Sequence, residues 1–371
     1  MHVLMISRPT LYSSVGGDTI QIQNTARYLR ELGVQVAIRL ADEEIDYRPY
    51  DLIHFFNIIR PADILFHINE SRLPFVVSTI YVDYSEYEKV NRRGFPGLAF
   101  RFLSADRIEY LKCMARHVLN GERIRTADYV LRGHRNSIRH IARRAACLLP
   151  NSVSEYRRLQ RDYAVNTAYE PIPNAVDASL FNSDIQANTD YQDHITCVAR
   201  VEGRKNQLNV VRAVLETDLP LSIIGKSSPN HAAYYDECRR LATGVDRIRF
   251  VTHLDQHQLA PIYKASRVHV LASWFETTGL STMEAALLGC NIVITDKGDT
   301  RDYFKDFAFY CQPDDIRSIR NSLTEAYETP YNPELKKLIL ENYTWEITAE
   351  KTLWAYKKSL AYATTTNVLF A

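Results

Sequence analysis

The strongest constraint on this fold is an alternation of short apolar runs with amphipathic stretches, which occurs in two separate series. Strands that alternate with helices in this way form parallel sheets covered by helices on both faces. The first series lies within the first 145 residues and has apolar runs at 3–6, 34–40, 52–56 and 75–80. The second has runs at 195–199, 221–224, 248–251, 268–271, 291–295 and 308–310. The pattern predicts two doubly wound α/β domains, and a chain of 371 residues is long enough for two cores.

A cluster of turn-forming residues separates the two series. Pro171, Pro173, Asn174 and Asp177 lie within a short stretch, which is typical of a linker. We therefore predict an N-terminal domain over residues 1–170 and a C-terminal domain over residues 171–345. A helix over residues 346–363 is expected to return to the N-terminal domain, and residues 364–371 are predicted to form a tail.

The composition is that of an ordinary globular protein, with 46% apolar and 24% charged residues. No run of about 18 apolar residues is present to span a bilayer. The six cysteines lack the spacing of a metal or redox motif, which favours buried thiols in a reducing compartment. The N-terminal residues indicate a first strand rather than a signal peptide, so the predicted location is the cytoplasm.

Positive charge is concentrated in one segment, although the net charge of the chain is only +1. Between Lys89 and Arg144, two lysines and twelve arginines face four acidic residues. Solvent-exposed helix faces would account for this segment, and so would a surface that binds anionic lipid headgroups or a diphosphate. Both interpretations stay open, and the second adds an anionic membrane surface as a partner. The small net charge predicts no nucleic-acid partner.

Residues 274–290, WFETTGLSTMEAALLGC, are the most informative stretch of the sequence. Glu276 and Glu284 flank a turn at Gly279 that leads from a strand into a helix. Amides at a helix N-terminus suit a phosphate, and Gly279 allows its close approach. Glu276 could then accept hydrogen bonds from sugar hydroxyls, and Glu284 from ribose hydroxyls. The structural alternatives are a helix-capping role for Glu276 and a solvated helix position for Glu284.

A second motif, ITCVARVEGRKNQ at residues 195–207, opens the second series. A strand ends by delivering Arg200, and Lys205 follows at the start of the next helix. Two cations at the carboxyl end of a parallel sheet suit a diphosphate whose charge grows as it leaves. In isolation, two basic residues in a loop are also consistent with simple solvation.

Together these motifs resemble the family 4 glycosyltransferases of the GT-B fold, over nearly the whole chain. The features that carry the resemblance are the paired glutamates Glu276 and Glu284 around Gly279-Leu280, the cations Arg200 and Lys205, the sequence 173–177 with Phe181, the loop Gly16-Gly17, and Trp345. The resemblance implies two Rossmann-like domains facing across a cleft, with the donor held by the C-terminal domain. It also implies transfer with retention of anomeric configuration.

The resemblance further implies roles for individual residues. Arg200, Lys205 and Glu276 would be catalytic, with the two cations neutralising the nucleotide diphosphate and Glu276 orienting the donor sugar. Glu284 would bind the ribose. The remaining donor contacts would come from Gly279, Leu280 and Ser281, and from Gly17 across the cleft. No metal ion and no cofactor are implied beyond the nucleotide diphosphate sugar, which is a co-substrate.

The acceptor side departs from the family pattern. Tyr81 stands near the position where many family members place a histidine, Thr277-Thr278 replaces a common proline and phenylalanine, and Ala175 replaces a common glycine. Tyr81 and Asp83 are the predicted acceptor contacts, and no general base is assigned.

The predicted function is transfer of a hexose from a UDP- or GDP-sugar to a glycan or lipid-linked acceptor in surface polysaccharide or lipopolysaccharide biosynthesis. The enzyme would be cytoplasmic and peripheral on the inner face of the membrane. Two alternatives stay open: another GT-B enzyme, such as a nucleotide-sugar epimerase or phosphorylase, and a non-catalytic sugar-nucleotide-binding protein. A dinucleotide-dependent oxidoreductase is disfavoured because no Gly-x-Gly-x-x-Gly follows any predicted strand.

Overall fold

The computed structural model describes residues 1–91, 105–120, 125–228 and 230–369. The chain divides into two compact units. The N-terminal unit comprises Met1–Tyr81, Glu88–Asn174 and Trp345–Ala371, and the C-terminal unit comprises Val82–Tyr87 and Ala175–Thr344. Each unit contains its own parallel sheet, which confirms the predicted pair of α/β domains.

The N-terminal unit has a five-stranded parallel sheet in the order β2-β1-β3-β4-β5. Its strands are β1 (His2–Ser7), β2 (Gln35–Leu40), β3 (Leu52–Phe56), β4 (Phe75–Ser78) and β5 (Cys147–Leu149). The helices up to residue 163 are α1 (Gly17–Glu31), α2 (Pro61–Ser71), α3 (Ser85–Asn91), α4 (Ala105–Asn120), α5 (Ala127–Arg144) and α6 (Val153–Tyr163). Helix α3 begins in the stretch that is grouped with the C-terminal unit.

The C-terminal unit has a six-stranded parallel sheet in the order β11-β10-β9-β6-β7-β8. Its strands are β6 (Ile195–Val198), β7 (Leu221–Ile224), β8 (Ile248–Val251), β9 (Val268–Leu271), β10 (Asn291–Thr295) and β11 (Phe309–Cys311). Its helices are α7 (Gln207–Leu215), α8 (Ala232–Leu241), α9 (Gln256–Ala265), α10 (Leu280–Leu287), α11 (Thr300–Phe304), α12 (Ile316–Glu328) and α13 (Pro333–Asn342), with short 3-10 turns at Thr189–Tyr191, Gly203–Lys205 and Lys305–Phe307.

The last helix, α14 (Trp345–Leu369), returns the chain to the N-terminal unit, where it packs against α1. Its first residue, Trp345, is buried. The predicted range for this helix ends at residue 363, whereas the helix continues to Leu369 and includes most of the predicted tail.

A buried polar triad attaches α14 to the N-terminal sheet. The hydroxyl of Tyr356 lies 2.7 Å from Nδ1 of His54 on β3, and Nε2 of the same ring lies 2.8 Å from Oγ of Ser78 on β4. Burial lowers the pKa of His54 to about 3, so the imidazole is neutral. Both ring nitrogens of a fully buried histidine are therefore paired, which satisfies groups that would otherwise destabilise the interior.

Replacing Tyr356 with Phe should destabilise the protein by about 1–3 kcal/mol, because it leaves a buried nitrogen of His54 without a partner. The measurement is urea unfolding followed by circular dichroism. Tyr12→Phe serves as the control, since Tyr12 is 53% exposed, and it should change the free energy of unfolding by less than about 0.5 kcal/mol. Equal effects of the two substitutions would contradict the role given to the triad.

Candidate functional site

The two predicted donor motifs follow neighbouring strands of the C-terminal sheet. Strand β6 leads to Arg200, and strand β9 leads to the loop that contains Glu276. The two strands pair in parallel, with Ile195 opposite Val268. Because parallel neighbours end at the same edge of a sheet, both motifs emerge together at its carboxyl edge, where open α/β sheets bind their ligands.

Lys205 and Glu276 form a buried ion pair at this edge. Nζ of Lys205 lies 2.5 Å from Oε1 of Glu276, which also accepts a 2.6 Å hydrogen bond from the hydroxyl of Ser273. Burial lowers the pKa of Lys205, but the Glu276 carboxylate, together with Tyr84 and Glu202, raises it by more, so the pKa lies above its ordinary value. Lys205 therefore stays charged, and its ion pair with Glu276 connects the two predicted donor motifs.

The backbone holds Glu276 tightly in place. Its carbonyl oxygen accepts a 2.9 Å hydrogen bond from the amide of Asp299, and the residue forms a parallel bridge with Gly298. A Cβ atom at Gly298 would lie 2.0 Å from that carbonyl oxygen, and Gly298 also has φ +96°. Only glycine fits here. Glu276 is not a helix cap, because the N-cap of α10 is Gly279.

A third carboxylate, Glu202, was missed by the sequence analysis. Its side chain is buried and accepts a 2.9 Å hydrogen bond from Ser228. Arg204 and Arg200 approach it at 3.4 and 3.7 Å. Burial alone would raise the pKa of Glu202, but the two arginines and the serine lower it below its ordinary value. Its position between Arg200 and Arg204 in the sequence could have identified it. Through these contacts Glu202 orients the loop that carries Arg200.

Glu284 is buried rather than solvated, so the alternative of an exposed helix position is wrong. Nε2 of Gln256 donates a 2.9 Å hydrogen bond to Oε1, and the hydroxyl of Tyr263 lies 3.4 Å from Oε2. Burial raises the pKa of Glu284 to about 7, although these two hydrogen bonds counteract it. Both partners lie on α9, so nothing near Glu284 in the sequence identifies them.

The start of α10 is built around a glycine in the left-handed region. Gly279 has φ +73°, and a Cβ atom there would lie 3.0 Å from Oγ1 of Thr282. The hydroxyl of Ser281 donates a 2.9 Å hydrogen bond to the carbonyl of Val198, which fixes the helix to the end of β6. Leu280 is the first residue of the helix. Amides in a first helical turn have no intrahelical acceptor and can bind a phosphate.

The stretch Val82–Tyr87 adds two aromatic rings to the C-terminal unit. The guanidinium of Arg204 lies 4.7 Å from the ring centre of Tyr84, which also meets the ring of Phe275 edge to face. Tyr87 packs similarly against Trp274. These rings therefore cover both donor motifs, a role that the sequence analysis did not assign to them.

The predicted acceptor contacts each have a structural partner. Asp83 lies in the stretch Val82–Tyr87, and its Oδ1 accepts a 2.9 Å hydrogen bond from the amide of Ser85, the first residue of α3. Tyr81 belongs to the N-terminal unit, is 9% exposed and donates a 2.8 Å hydrogen bond to Asp162. The acceptor role of both residues stays a prediction.

Gly17 opens α1 in the N-terminal unit. The loop before it is held by an ion pair between Nε of Arg8 and Oδ2 of Asp18, at 2.6 Å. Gly17 is thus presented at the end of strand β1, at the carboxyl edge of its own sheet, where a ligand contact was predicted. Whether it contacts the donor stays a prediction.

Part of the predicted basic surface is committed to internal contacts. Arg132 and Arg135 pair with Asp128 and Asp106, and Arg125 donates to two backbone carbonyls. Arg92, Arg93, Arg101 and Arg123 lie outside the described residues. Among the described residues, no group of three or more His, Cys, Asp or Glu side chains is placed to hold a metal ion. The same residues include no helix with the length and hydropathy that a membrane span requires.

Comparison with known proteins gives the following similarities. Residues 181–345 match the protein family described as Glycosyl transferases group 1. No curated protein sequence matches the chain. The sucrose-phosphate synthase of Thermosynechococcus elongatus has a similar structure, with a TM-score of 0.71 and 16% identity over 98% of this chain and 100% of that one.

Two further solved structures are similar along nearly their whole length. A glycosyltransferase from Rickettsia africae has a TM-score of 0.69 and 12% identity over 97% of this chain and 98% of that one. Anabaena HepE, solved in complex with UDP, has a TM-score of 0.64 and 12% identity over 99% and 100%. The predicted GT-B fold class is thereby confirmed.

The geometry at Gly298 predicts an unequal effect of two alanine substitutions. Gly289 and Gly298 both have φ near +100°, but a Cβ atom at Gly289 would meet nothing within 4 Å. Gly289→Ala should cost about 1–2 kcal/mol from backbone strain alone. Gly298→Ala should cost more, because it also collides with the backbone of Glu276. Urea unfolding of the two variants tests this, and equal losses would be inconsistent with the collision.

The environment of Glu284 predicts a pH-dependent loss of stability. The pKa of its carboxyl group rises from 4.5 in the unfolded chain to about 7 in the folded protein. Between these values the folded state binds more protons, so the free energy of unfolding falls as pH rises. Glu284→Gln removes this titration. The stability of the variant relative to wild type should therefore increase as the pH rises from 5 to 8.

Urea unfolding at pH 5, 6.5 and 8 measures the effect. Glu350→Gln, at an exposed position of α14, controls for the loss of one carboxylate. Curves for Glu284→Gln and wild type that stay parallel across this range would argue against a raised pKa at Glu284.

Proposed function

We propose that this chain is a glycosyltransferase that uses a nucleotide diphosphate sugar and binds it through the C-terminal unit. Two findings support the proposal: the match of residues 181–345 to Glycosyl transferases group 1, and the GT-B fold. The observation that carries it is the buried Lys205–Glu276 pair next to Arg200 and the start of α10. This arrangement places fixed positive charge and a carboxylate at one sheet edge.

The diphosphate of the donor would lie against Arg200 and Lys205. The side chain of Arg200 is 48% exposed, so it can reach a ligand while Glu202 steadies it at 3.7 Å. The first-turn amides of Gly279, Leu280 and Ser281 would supply further donors to the phosphate oxygens. These groups stabilise the charge that develops as the nucleoside diphosphate leaves, which is the main demand of the transition state.

Glu276 would orient the donor sugar. Its Oε1 already accepts from Lys205 and Ser273, and we assign Oε2 to hydroxyls of the sugar. Lys205 thereby joins the sugar-binding carboxylate to the diphosphate, so that both parts of the donor are positioned by one pair. Glu284 would accept from the ribose hydroxyls, and those donors favour its ionised form.

We further propose that transfer retains the anomeric configuration, with the acceptor attacking from the face of the leaving group. The β-phosphate would accept the acceptor's proton, since no side chain has been assigned as the base. Fixed cations at the diphosphate would let the reaction proceed without a resident metal ion or cofactor. Because Anabaena HepE was solved with UDP, UDP-sugars are the first donors to test, followed by GDP-sugars.

The proposed acceptor is a glycan or a lipid-linked glycan at a membrane surface, with Tyr81 and Asp83 as its predicted contacts. Exposed apolar side chains in the basic region support the membrane surface: Leu131 is 84% exposed and Leu111 is 48% exposed. Such side chains beside arginines suit a headgroup interface. The reaction proposed for this acceptor is hexose transfer in surface polysaccharide or lipopolysaccharide synthesis. It would take place on the cytoplasmic side of the membrane.

The test has two steps. Slow hydrolysis of a panel of UDP- and GDP-sugars identifies the donor. Transfer to glycan acceptors is then assayed, and NMR determines the anomeric configuration of the product. Glu276→Gln should lower the rate at least about 100-fold, because a group that acts in the transition state is lost. Circular dichroism checks that the variant is folded. Glu328→Gln, an exposed substitution on α12, should keep the wild-type rate.

Retained turnover in Glu276→Gln would overturn the assignment. An epimerised nucleotide sugar in place of a glycoside would identify an epimerase on the same fold. Donor binding without any turnover in the wild-type protein would identify a sugar-nucleotide-binding protein instead.

A further inference from the structure

A cavity lies in the N-terminal unit, at the amino edge of its sheet. Its volume is about 850 Å³, within the range of small-molecule sites. It opens at the first residues of β4 and β5, Phe75 and Cys147, whereas Tyr81 follows the opposite, carboxyl end of β4. All of its lining residues belong to the N-terminal unit, and the proposed donor side chains 200, 205, 276 and 284 belong to the C-terminal unit.

The charge of this cavity is strongly positive. Arg72, Arg143, Arg144 and Lys358 line it, and no Asp or Glu is among its lining residues. Among the described residues, Arg72 and Arg143 form no ion pair, so their charge is available to a ligand. Three helices, α2, α5 and α6, end at the rim, and each contributes roughly −0.5 charge there. The four positive side chains exceed the summed negative charge of the three helix ends, so neutralising these ends does not explain all four.

The cavity also contains a buried polar group with no partner. Ser359 on α14 is 2% exposed, lines the cavity, and its hydroxyl has no hydrogen-bond partner among the described residues. A buried hydroxyl without a partner is costly, and a bound water or ion is one way in which such a group is satisfied. Lys358, its neighbour, rests 4.6 Å from the ring centre of Trp354, which holds the ammonium group at the rim.

We propose that this cavity binds a phosphate-bearing ligand at a site separate from the donor site. Planar guanidinium groups recognise phosphate oxygens through paired hydrogen bonds. The volume accommodates a molecule of the size of a sugar phosphate or nucleotide. A ligand here bridges α5 and α14, since Arg143 and Lys358 are supplied by these two helices.

The experiment counts pyrophosphate sites by isothermal titration calorimetry in metal-free buffer. The wild-type protein should bind pyrophosphate at about two sites, one in each unit. The double variant Arg143→Gln/Lys358→Gln should weaken the N-terminal site roughly 10-fold or more, because it removes two charge-assisted contacts. Arg200→Gln should weaken only the donor site. Arg157→Gln/Lys351→Gln, which removes two exposed charges from the same unit, is the matched control.

The two proposals fail in different ways. If the double variant binds pyrophosphate as the wild-type protein does, the cavity is not a phosphate site, and the proposal is overturned while the donor site is unaffected. If Arg200→Gln has no effect but the double variant loses a site, the proposed donor clamp fails and the cavity stands. Thermal unfolding confirms that the substituted surface residues leave the fold intact.

A second arm distinguishes a soluble phosphate from a lipid phosphate. The same variants are sedimented with vesicles of phosphatidylglycerol, and with phosphatidylcholine as the uncharged control. Vesicle binding that is lost in Arg143→Gln/Lys358→Gln and displaced by pyrophosphate assigns the cavity to a lipid headgroup. Vesicle binding that is unchanged in this variant, with pyrophosphate binding lost, assigns it to a soluble phosphate compound.

Discussion

The buried ion pair between Lys205 and Glu276 is the interaction on which the C-terminal site depends. It joins the loop after β6 to the loop after β9, and Ser273 shares the same carboxylate oxygen. Removing one partner would leave an uncompensated buried charge, which typically costs about 3–5 kcal/mol. The pair thus ties the two loops together, and it couples the proposed sugar-binding carboxylate to a proposed diphosphate-binding cation.

The fold was largely predictable because parallel strands buried on both faces leave continuous apolar runs in the sequence. Strand β5 was missed, since Cys147–Leu149 is only three residues long and lies far beyond the last apolar run of the first series. The grouping of Val82–Tyr87 with the C-terminal unit was also unpredictable. It depends on contacts of Tyr84 with Arg204 and Phe275, more than 100 positions away, and no local periodicity encodes them.

The site was predictable only where its residues form a local motif. Glu276, Glu284, Arg200 and Lys205 were predicted because a glycine turn or a strand end marks each position. Their partners were not found: Gln256 reaches Glu284 from another helix, and Ser228 reaches Glu202 from another loop. A resemblance transfers roles position by position, whereas the environment that sets each pKa is assembled from distant segments and requires the structure.

Under the proposed function, the three glutamates of the site would let one surface accept both a diphosphate and a neutral ribose. Glu202 and Glu276 are paired with cations, and Arg200, Arg204 and Lys205 exceed them by one charge. Glu284 has only neutral partners, Gln256 and Tyr263, so burial raises its pKa to about 7. Near neutral pH this carboxyl group is protonated in a large fraction of the molecules, and the neutral form does not repel a phosphate. Ribose hydroxyls that donate to it would favour ionisation only once the ligand is in place, so the negative charge would develop where it is hydrogen-bonded.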